Sequence, residues 1–287
     1  MVTALQLHIS YVVMRMDEPA VIRLQIENRY IEFILEMHRN NKKITNLNEL
    51  PVSVKMKKVK GTSEFESTLS NQQMFLGDWI KHFFSFSVNL EIDFHVGNTE
   101  FDIQAVRNTL PKLQLISLFC SKDEPNENDI LNTQNFLRAF LSDAQNLELN
   151  SVPLQKNFFL QHIGMINLKE LQLYYQNNLN FVDVAAWNVE SCFITTMDDQ
   201  VSLRDLNRFF KLWTKGSNPK LKEFFVHWNT EIVPDWNVLL KGLKGIVKYA
   251  LEEEILYIIR NNRGISAEIK VEHYDGDKAS VVFFLSD

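Results

Sequence analysis

The residues that could do chemistry are few and scattered. Histidines stand at His8, His38, His82, His95, His162, His227 and His273. None falls in a His-Glu-x-x-His pair, the spacing that turns two imidazoles to one helix face to hold zinc. A metal site could form from them only if folding gathered them, and scattered structural roles are the simpler reading. Cys120 and Cys192 each sit in an apolar stretch, Leu118-Phe119-Cys120 and Ser191-Cys192-Phe193. In such a setting a thiol stays protonated and packs instead of attacking. Asp123-Glu124 and Asp198-Asp199 are acidic pairs between elements, suited to turns and caps. Asp275-x-Asp277 opens like a calcium loop but lacks the later ligands, so it reads as turn chemistry. Neither a GxxxxGK[ST] loop nor a GxGxxG run occurs to cradle phosphate. The expectation is a binding protein without catalytic residues, metal or cofactor.

The bulk numbers agree with binding and narrow the partner. The 287 residues are 45% hydrophobic and 23% charged, enough for a large buried core. Phe is abundant at 21, and Gly and Pro are scarce at 9 and 7, so long flexible linkers are not expected. The net charge is −6, against nucleic acid as the main partner, since duplex binding needs clustered positive charge. The basic run Lys55-Met56-Lys57-Lys58-Val59-Lys60 reads as a solvated strand end or loop. No apolar run reaches the ~18 residues that would span a membrane. Leu5 to Met16 is broken by Gln6, His8 and Arg15 and does not read as a signal peptide. With no Asn-x-Ser/Thr acceptor and two buried thiols, the expected setting is the cytoplasm and/or nucleus.

The elements that would position a binding surface come in two rhythms. Up to residue 88, alternation in Leu5–Ile9, Val21–Ile26, Arg29–Met37 and Val52–Met56 predicts a meander of strands. Gly61–Gln73 is polar and reads as a loop. Met74–Phe86 reads as a helix with Phe75, Trp79, Phe83 and Phe86 near one face. From residue 89, short apolar strands alternate with helices. Strands are predicted at Asn89–Phe94, Leu115–Cys120, Asn146–Asn150, Leu168–Tyr174, Val189–Thr195 and Leu221–Trp228. Helices are predicted at Asp102–Leu110, Asp129–Leu141, Leu154–Gly164 and Leu203–Lys215. A terminal hairpin follows, its strands Ile265–His273 and Val281–Leu285 joined at Asp275-Gly276.

Several strands share an L-x-x-L-x-L pattern. It is clear in Leu168-x-x-Leu171-x-Leu173 and Leu221-x-x-Phe224-x-Val226. It is looser in Leu115-x-x-Leu118-x-Cys120 and Val189-x-x-Cys192-x-Ile194, and partial in Leu147-x-Leu149. A strand–helix unit cannot hide its apolar face alone, so such units stack, and the spacing is typical of leucine-rich-repeat architecture. The fold expected is α/β: leucine-rich-repeat-like strand–helix repeats, with an N-terminal β meander and a C-terminal β hairpin. Residues 1–88 form the first region and 89–287 the second.

One helix is sharply punctuated. Ser202 can cap its start, with Asp205 at the capping-box position. Leu203, Leu206, Phe210 and Trp213 make one apolar stripe, and Lys211 and Lys215 suit the negative end of the helix dipole. Gly216 can take the left-handed position beyond the last turn, and Asn218-Pro219 forbids continuation.

That stretch carries a resemblance. Asp205-Leu206-Asn207-Arg208-Phe209-Phe210-Lys211-Leu212-Trp213, followed by Gly216-Ser217-Asn218-Pro219-Lys220-Leu221, resembles the centre of the F-box-associated domain, type 2, of the expanded nematode F-box families. The match is strongest over about residues 145–245, and Asp205, Leu206, Asn207, Phe210, Trp213, Gly216, Asn218, Pro219 and Leu221 carry it. The resemblance implies a substrate-receptor role in a cullin–RING ubiquitin ligase, with a substrate protein as partner. In such families an F-box docks the Skp-type adaptor. Here the sequence from Leu5 is β-patterned and the first proline is Pro19, so no F-box is legible and adaptor contact is left open. The alternatives are a leucine-rich-repeat-like scaffold with no ubiquitin role and, least favoured, an enzyme.

Alternation also marks a candidate binding face. If the spaced Leu positions point into the core, the residues between and just after them point out. These are Glu148, Asn150, Gln172, Tyr174, Phe193, Phe225 and His227. The competing reading is that Phe193 and Phe225 are covered by another layer.

Overall fold

The computed structural model describes residues 9–17, 19–27, 29–37, 43–44, 47, 50, 52–60, 63–69, 74–87, 89–96, 100–120, 122–154, 163, 166–176, 184, 186–197, 201–251 and 253–286. The architecture is α/β, rich in strands and with few helices among the described residues. The chain divides into two compact units. Unit 1 is Met1–Ala144 with Val152–Leu154, and unit 2 is Gln145–Ser151 with Gln155–Asp287.

Unit 1 begins with the expected meander. Strands β1 (Tyr11–Met16), β2 (Ala20–Ile26), β3 (Arg29–Met37), β5 (Val52–Lys60) and β6 (Ser63–Leu69) pair in turn as antiparallel neighbours. β4 is the two-residue Lys43–Ile44, paired parallel with β8 (Glu100–Phe101). β7 (Leu90–His95) runs parallel to β1, and β9 (Leu115–Phe119) runs parallel to β7. Three helices complete the unit among its described residues: α1 (Leu76–Phe84), α2 (Ile103–Thr109) and α3 (Glu127–Phe140). Aromatic wedges fill its core. The Phe33 and Phe83 rings lie 4.2 Å apart and Phe94 and Phe136 4.5 Å apart. Helix α3 buries Phe136, Leu137 and Phe140, and its buried Asp129 is held by Lys122 Nζ at 2.9 Å.

Within the polar stretch expected as a loop, Ser63–Leu69 is a strand. β6 pairs with β5 from Val54↔Leu69 to Lys60↔Ser63. Its composition gives no apolar alternation because it is the last strand of its sheet among the described residues, and an edge strand tolerates polar sequence. The strand expected at Leu5–Ile9 and the helix expected at Leu154–Gly164 lie almost wholly outside the described residues.

Unit 2 is built on one mixed sheet. β10 (Asn146–Asn150), β11 (Glu170–Tyr174), β12 (Ser191–Thr196) and β13 (Glu223–Asn229) lie side by side and parallel. Beyond β13 the pairing turns antiparallel through β17 (Lys278–Leu285), β16 (Ser266–Tyr274), β15 (Glu254–Arg260) and β14 (Gly245–Ala250). β16 and β17 are the expected terminal hairpin. β14 and β15 are strands that the periodicity did not announce.

The core of unit 2 lies on one side of this sheet, against α4 (Leu203–Thr214), which packs on α5 (Trp236–Leu240). Phe209 packs at a tilt on Phe224 at 4.7 Å, Phe210 stacks on Phe283 at 5.8 Å, and Trp213 meets Phe283 edge-on at 5.0 Å. The end of α4 is closed by hydrogen bonds from Gly216 N–H to Trp213 O and from Ser217 N–H to Leu212 O, at 2.9 and 3.1 Å. That pair is a Schellman cap, and Gly216 takes the positive φ of 96° that it requires. Asn262, in the β15–β16 turn, satisfies the remaining carbonyls. Its backbone N–H donates to Thr214 O and its Nδ2 to Lys215 O, both at 2.9 Å.

Candidate protein-binding face

Strand register decides what the other side of the sheet presents. Leu171 pairs with Cys192 and Cys192 with Phe224, while Leu173 pairs with Ile194 and Ile194 with Val226. All six are buried, so the apolar positions of the L-x-x-L-x-L pattern stack on the core side. Side chains alternate along a strand, and the residues between them fall on the opposite face.

There they form rows. Glu148 pairs with Gln172, Gln172 with Phe193, and Phe193 with Phe225. One step along, Asn150 pairs with Tyr174, Tyr174 with Thr195, and Thr195 with His227. All seven sequence-derived candidates therefore lie on one face of four adjacent strands, each partly exposed. The register adds Thr195, which the sequence reading omitted.

The face divides into a polar chain and an aromatic row. Tyr174 O–H donates to Gln172 Oε1 at 2.7 Å, and Gln172 Nε2 donates in turn to Glu170 Oε1. Burial pushes the Tyr174 hydroxyl above its ordinary pKa, and the Glu148 and Glu170 carboxylates add to the effect. Phe193 and Phe225 have ring centroids 6.3 Å apart, and the Phe225 and His227 rings are parallel at the same separation. Tyr274 extends the row from β16, its hydroxyl 2.8 Å from His227 Nδ1. Burial lowers the His227 pKa, with Lys278 a lesser cause.

The antiparallel strands continue the face. Phe225 pairs with Val282 and Val282 with Lys270. Lys270 Nζ bridges Glu272 at 2.7 Å and Glu254 at 3.4 Å, and Ser280 Oγ donates to Glu272 at 2.9 Å. The strand Ile265–His273 that carries Glu268, Lys270 and Glu272 was legible in sequence. That β17 sets them beside β13 was not, because the pairing joins residues about fifty positions apart.

The residues that carry the family resemblance lie elsewhere. Leu206, Phe210, Trp213 and Leu221 are core. Asn207 is also buried, and its Nδ2 donates to Leu239 O at 2.5 Å and Lys241 O at 3.0 Å, tying α4 to the end of α5. Ser202 Oγ accepts from Asp205 N–H at 3.2 Å, whereas the Asp205 carboxylate lies 3.8 Å from Arg208. Asn218 takes a positive φ of 52° and donates through Nδ2 to Val184 O at 3.3 Å, and Pro219 is exposed. Both cysteines are free and buried, and burial drives the Cys192 thiol far above its ordinary pKa. No group of three or more His, Cys, Asp or Glu side chains that could hold a metal occurs among the described residues. No helix among them is long and apolar enough to cross a membrane.

Residues 159–226 match the family model described as F-box associated. The matched segment takes in β11, β12, α4 and the first strand residues of β13. It bears out the resemblance read at Asp205–Trp213 and Gly216–Leu221. No curated protein matches. A crystal structure of a proposed alpha-galactosidase from Bacteroides fragilis is similar over 96% of each chain, at 7% identity and a TM-score of 0.19. That score is too low for the likeness to bear on fold or activity.

Proposed function

We propose that this chain is a non-catalytic protein-binding module that receives a substrate protein on the open face of the unit 2 sheet, as the substrate-recognition part of an F-box protein does in a cullin–RING ubiquitin ligase. The observation that carries the reading is the register setting Glu148, Gln172, Phe193 and Phe225 in one row and Asn150, Tyr174 and His227 in the next. Rigid strands hold these side chains with little conformational freedom left to lose on binding. Tyr and Phe at the centre of a polar, partly acidic surround are the residue types that anchor protein interfaces. The F-box-associated match at 159–226 supports the same reading. Net charge of −6 favours a protein over a nucleic acid as partner. Reduced, buried thiols suit the cytoplasm and/or nucleus.

A double change, Tyr174→Ala with Phe225→Ala, tests the face. The folded variant should lose the partners that co-purify with the unchanged chain. Retention of every partner would remove this face from the function.

The second reading is a leucine-rich-repeat-like interaction scaffold with no ubiquitin role. It is favoured by the parallel stack of β10 to β13 with its pattern residues in register. Purified chain and purified Skp-type adaptor discriminate the two. Because no F-box is legible, the chain by itself should bind the adaptor more weakly than about 1 μM. Tighter binding would reveal a diverged F-box and favour the ligase.

A further inference from the structure

The last strand of the unit 2 sheet is built unlike the others. β14 pairs on one side with β15, and no strand pairs with its other side among the described residues. All six of its residues are exposed. Ile246 is 72% exposed and Val247 51%, and Leu251 just beyond the strand is 65% exposed. A row of open backbone N–H and C=O groups flanked by aliphatic side chains is a template for another strand.

Edge strands are ordinarily protected by a lysine or a bulge. Both are present, and the lysine is turned aside. The β14–β15 register shifts between Val247 and Tyr249, which makes Lys248 the bulged residue, and its Nζ reaches back over the sheet to Glu268 at 3.2 Å. The strand itself is well anchored. A Cβ on Gly245 would collide with the Ile258 carbonyl oxygen and the Tyr257 ring, so glycine permits the close approach to β15. Tyr257 O–H donates to Leu243 O at 2.7 Å, fixing the turn before β14.

Charge along the edge selects the occupant. Exposed Lys241 and Lys244 precede β14, and exposed Glu253 follows it with Glu254. The strand is positive at its start and negative at its end. A parallel neighbour of the same kind would set like charges together, whereas an antiparallel copy sets each lysine end against a carboxylate end. With Tyr249 on a two-fold axis, Val247 falls opposite Leu251, and Lys244 comes to the turn that holds Glu253, where Leu251 N–H bonds Glu254 O at 2.7 Å. Lys244 of the second copy then approaches the groove lined by Leu251, Glu253, Glu254, Glu272 and Tyr274. The geometry points to a second copy of this chain as the occupant: unit 2 associates through antiparallel β14–β14 pairing into a symmetric dimer with one continuous sheet. The contact is isologous, so it closes at two copies. It stands apart from the binding-face reading, since it uses the strand at the far end of the sheet from β10.

Sedimentation velocity of the full chain over about 1 to 100 μM reads the association, a range suited to a small interface. The unchanged chain should convert from monomer to dimer within it. Val247→Lys should weaken the dimer at least tenfold while leaving the melting temperature and circular dichroism in place. Lys244→Glu should also weaken it, and Lys244→Glu combined with Glu253→Lys should recover it, with Glu254 left to its own partners. A chain that stays monomeric at the highest concentration overturns the inference. So does a dimer indifferent to Val247→Lys, or a double charge exchange weaker than Lys244→Glu alone.

Discussion

The Tyr274 hydroxyl and His227 Nδ1 lie 2.8 Å apart, joining β16 to β13 across the strand between them. With the imidazole neutral and its proton on Nε2, Tyr274 donates to Nδ1. Burial lowers the His227 pKa, and the nearby Lys278 charge acts in the same sense. His95 in unit 1 is lowered too, first by burial and secondarily by Arg15, against the pull of Asp17. A histidine that resists protonation when folded gives its full stabilisation above the ordinary value of 6.5. That stabilisation is lost as pH falls from there through the lowered value. The melting temperature should therefore decline between about pH 7 and pH 5, and less steeply in a His227→Phe variant. An NMR titration placing His227 at or above 6.5 would contradict this.

Trp213 is buried near the end of the punctuated helix, 2% exposed and 5.0 Å from the Phe283 ring. Trp213→Ala should cost about 3 to 5 kcal/mol by leaving a cavity between α4 and the sheet. Chemical denaturation measures it. A midpoint within error of the unchanged chain would place the indole outside the core.

The cap of α4 gives a prediction about non-additivity. Gly216→Ala should cost about 1 to 2 kcal/mol from its left-handed conformation alone. It costs further because a Cβ would lie 2.9 Å from Asn262 Oδ1. Asn262→Ala should cost about 1 kcal/mol by releasing Lys215 O. Combining them removes the collision, so the double variant should be more stable than the sum of the single costs implies. Strict additivity in a double-mutant cycle would mean that Asn262 does not crowd the glycine.

Cys192 should be silent toward thiol reagents in the native protein. It is 1% exposed, and burial holds its thiol protonated, whereas the thiolate is the reactive form. Mass spectrometry after brief alkylation should find it unmodified below the unfolding transition and modified above it. Rapid native labelling would mean that β12 opens readily.

How far the sequence could be read depended on whether a signal was local. Alternation and the spaced apolar positions set β10 to β13 within a residue or two. Ser202, Gly216 and Asn218-Pro219 bounded α4, because caps and stops act within one turn. β14 escaped for a physical reason: the bulge at Lys248 breaks the period of two on which strand recognition depends. β6 escaped because an edge strand need not be apolar. The helix-capping role of Asn262 was invisible, since it acts on a carbonyl 47 residues away. The candidate face was legible in its parallel half, where neighbours repeat one pattern. It was not legible in its antiparallel half, where Tyr274, Lys270 and Glu272 enter through a reversal of chain direction.

The residues that carry the F-box-associated resemblance sit behind the unit 2 sheet or at the stop of α4, and none is among the seven in front. Back and front side chains alternate along the same strands and point to opposite faces. The two surfaces can thus drift independently: the rear can stay fixed while the front is rewritten residue by residue, without disturbing helix packing. A scaffold so divided is a natural display platform. Transplanting a different set of outward side chains onto β10 to β13 should redirect the proposed recognition while the F-box-associated resemblance is kept.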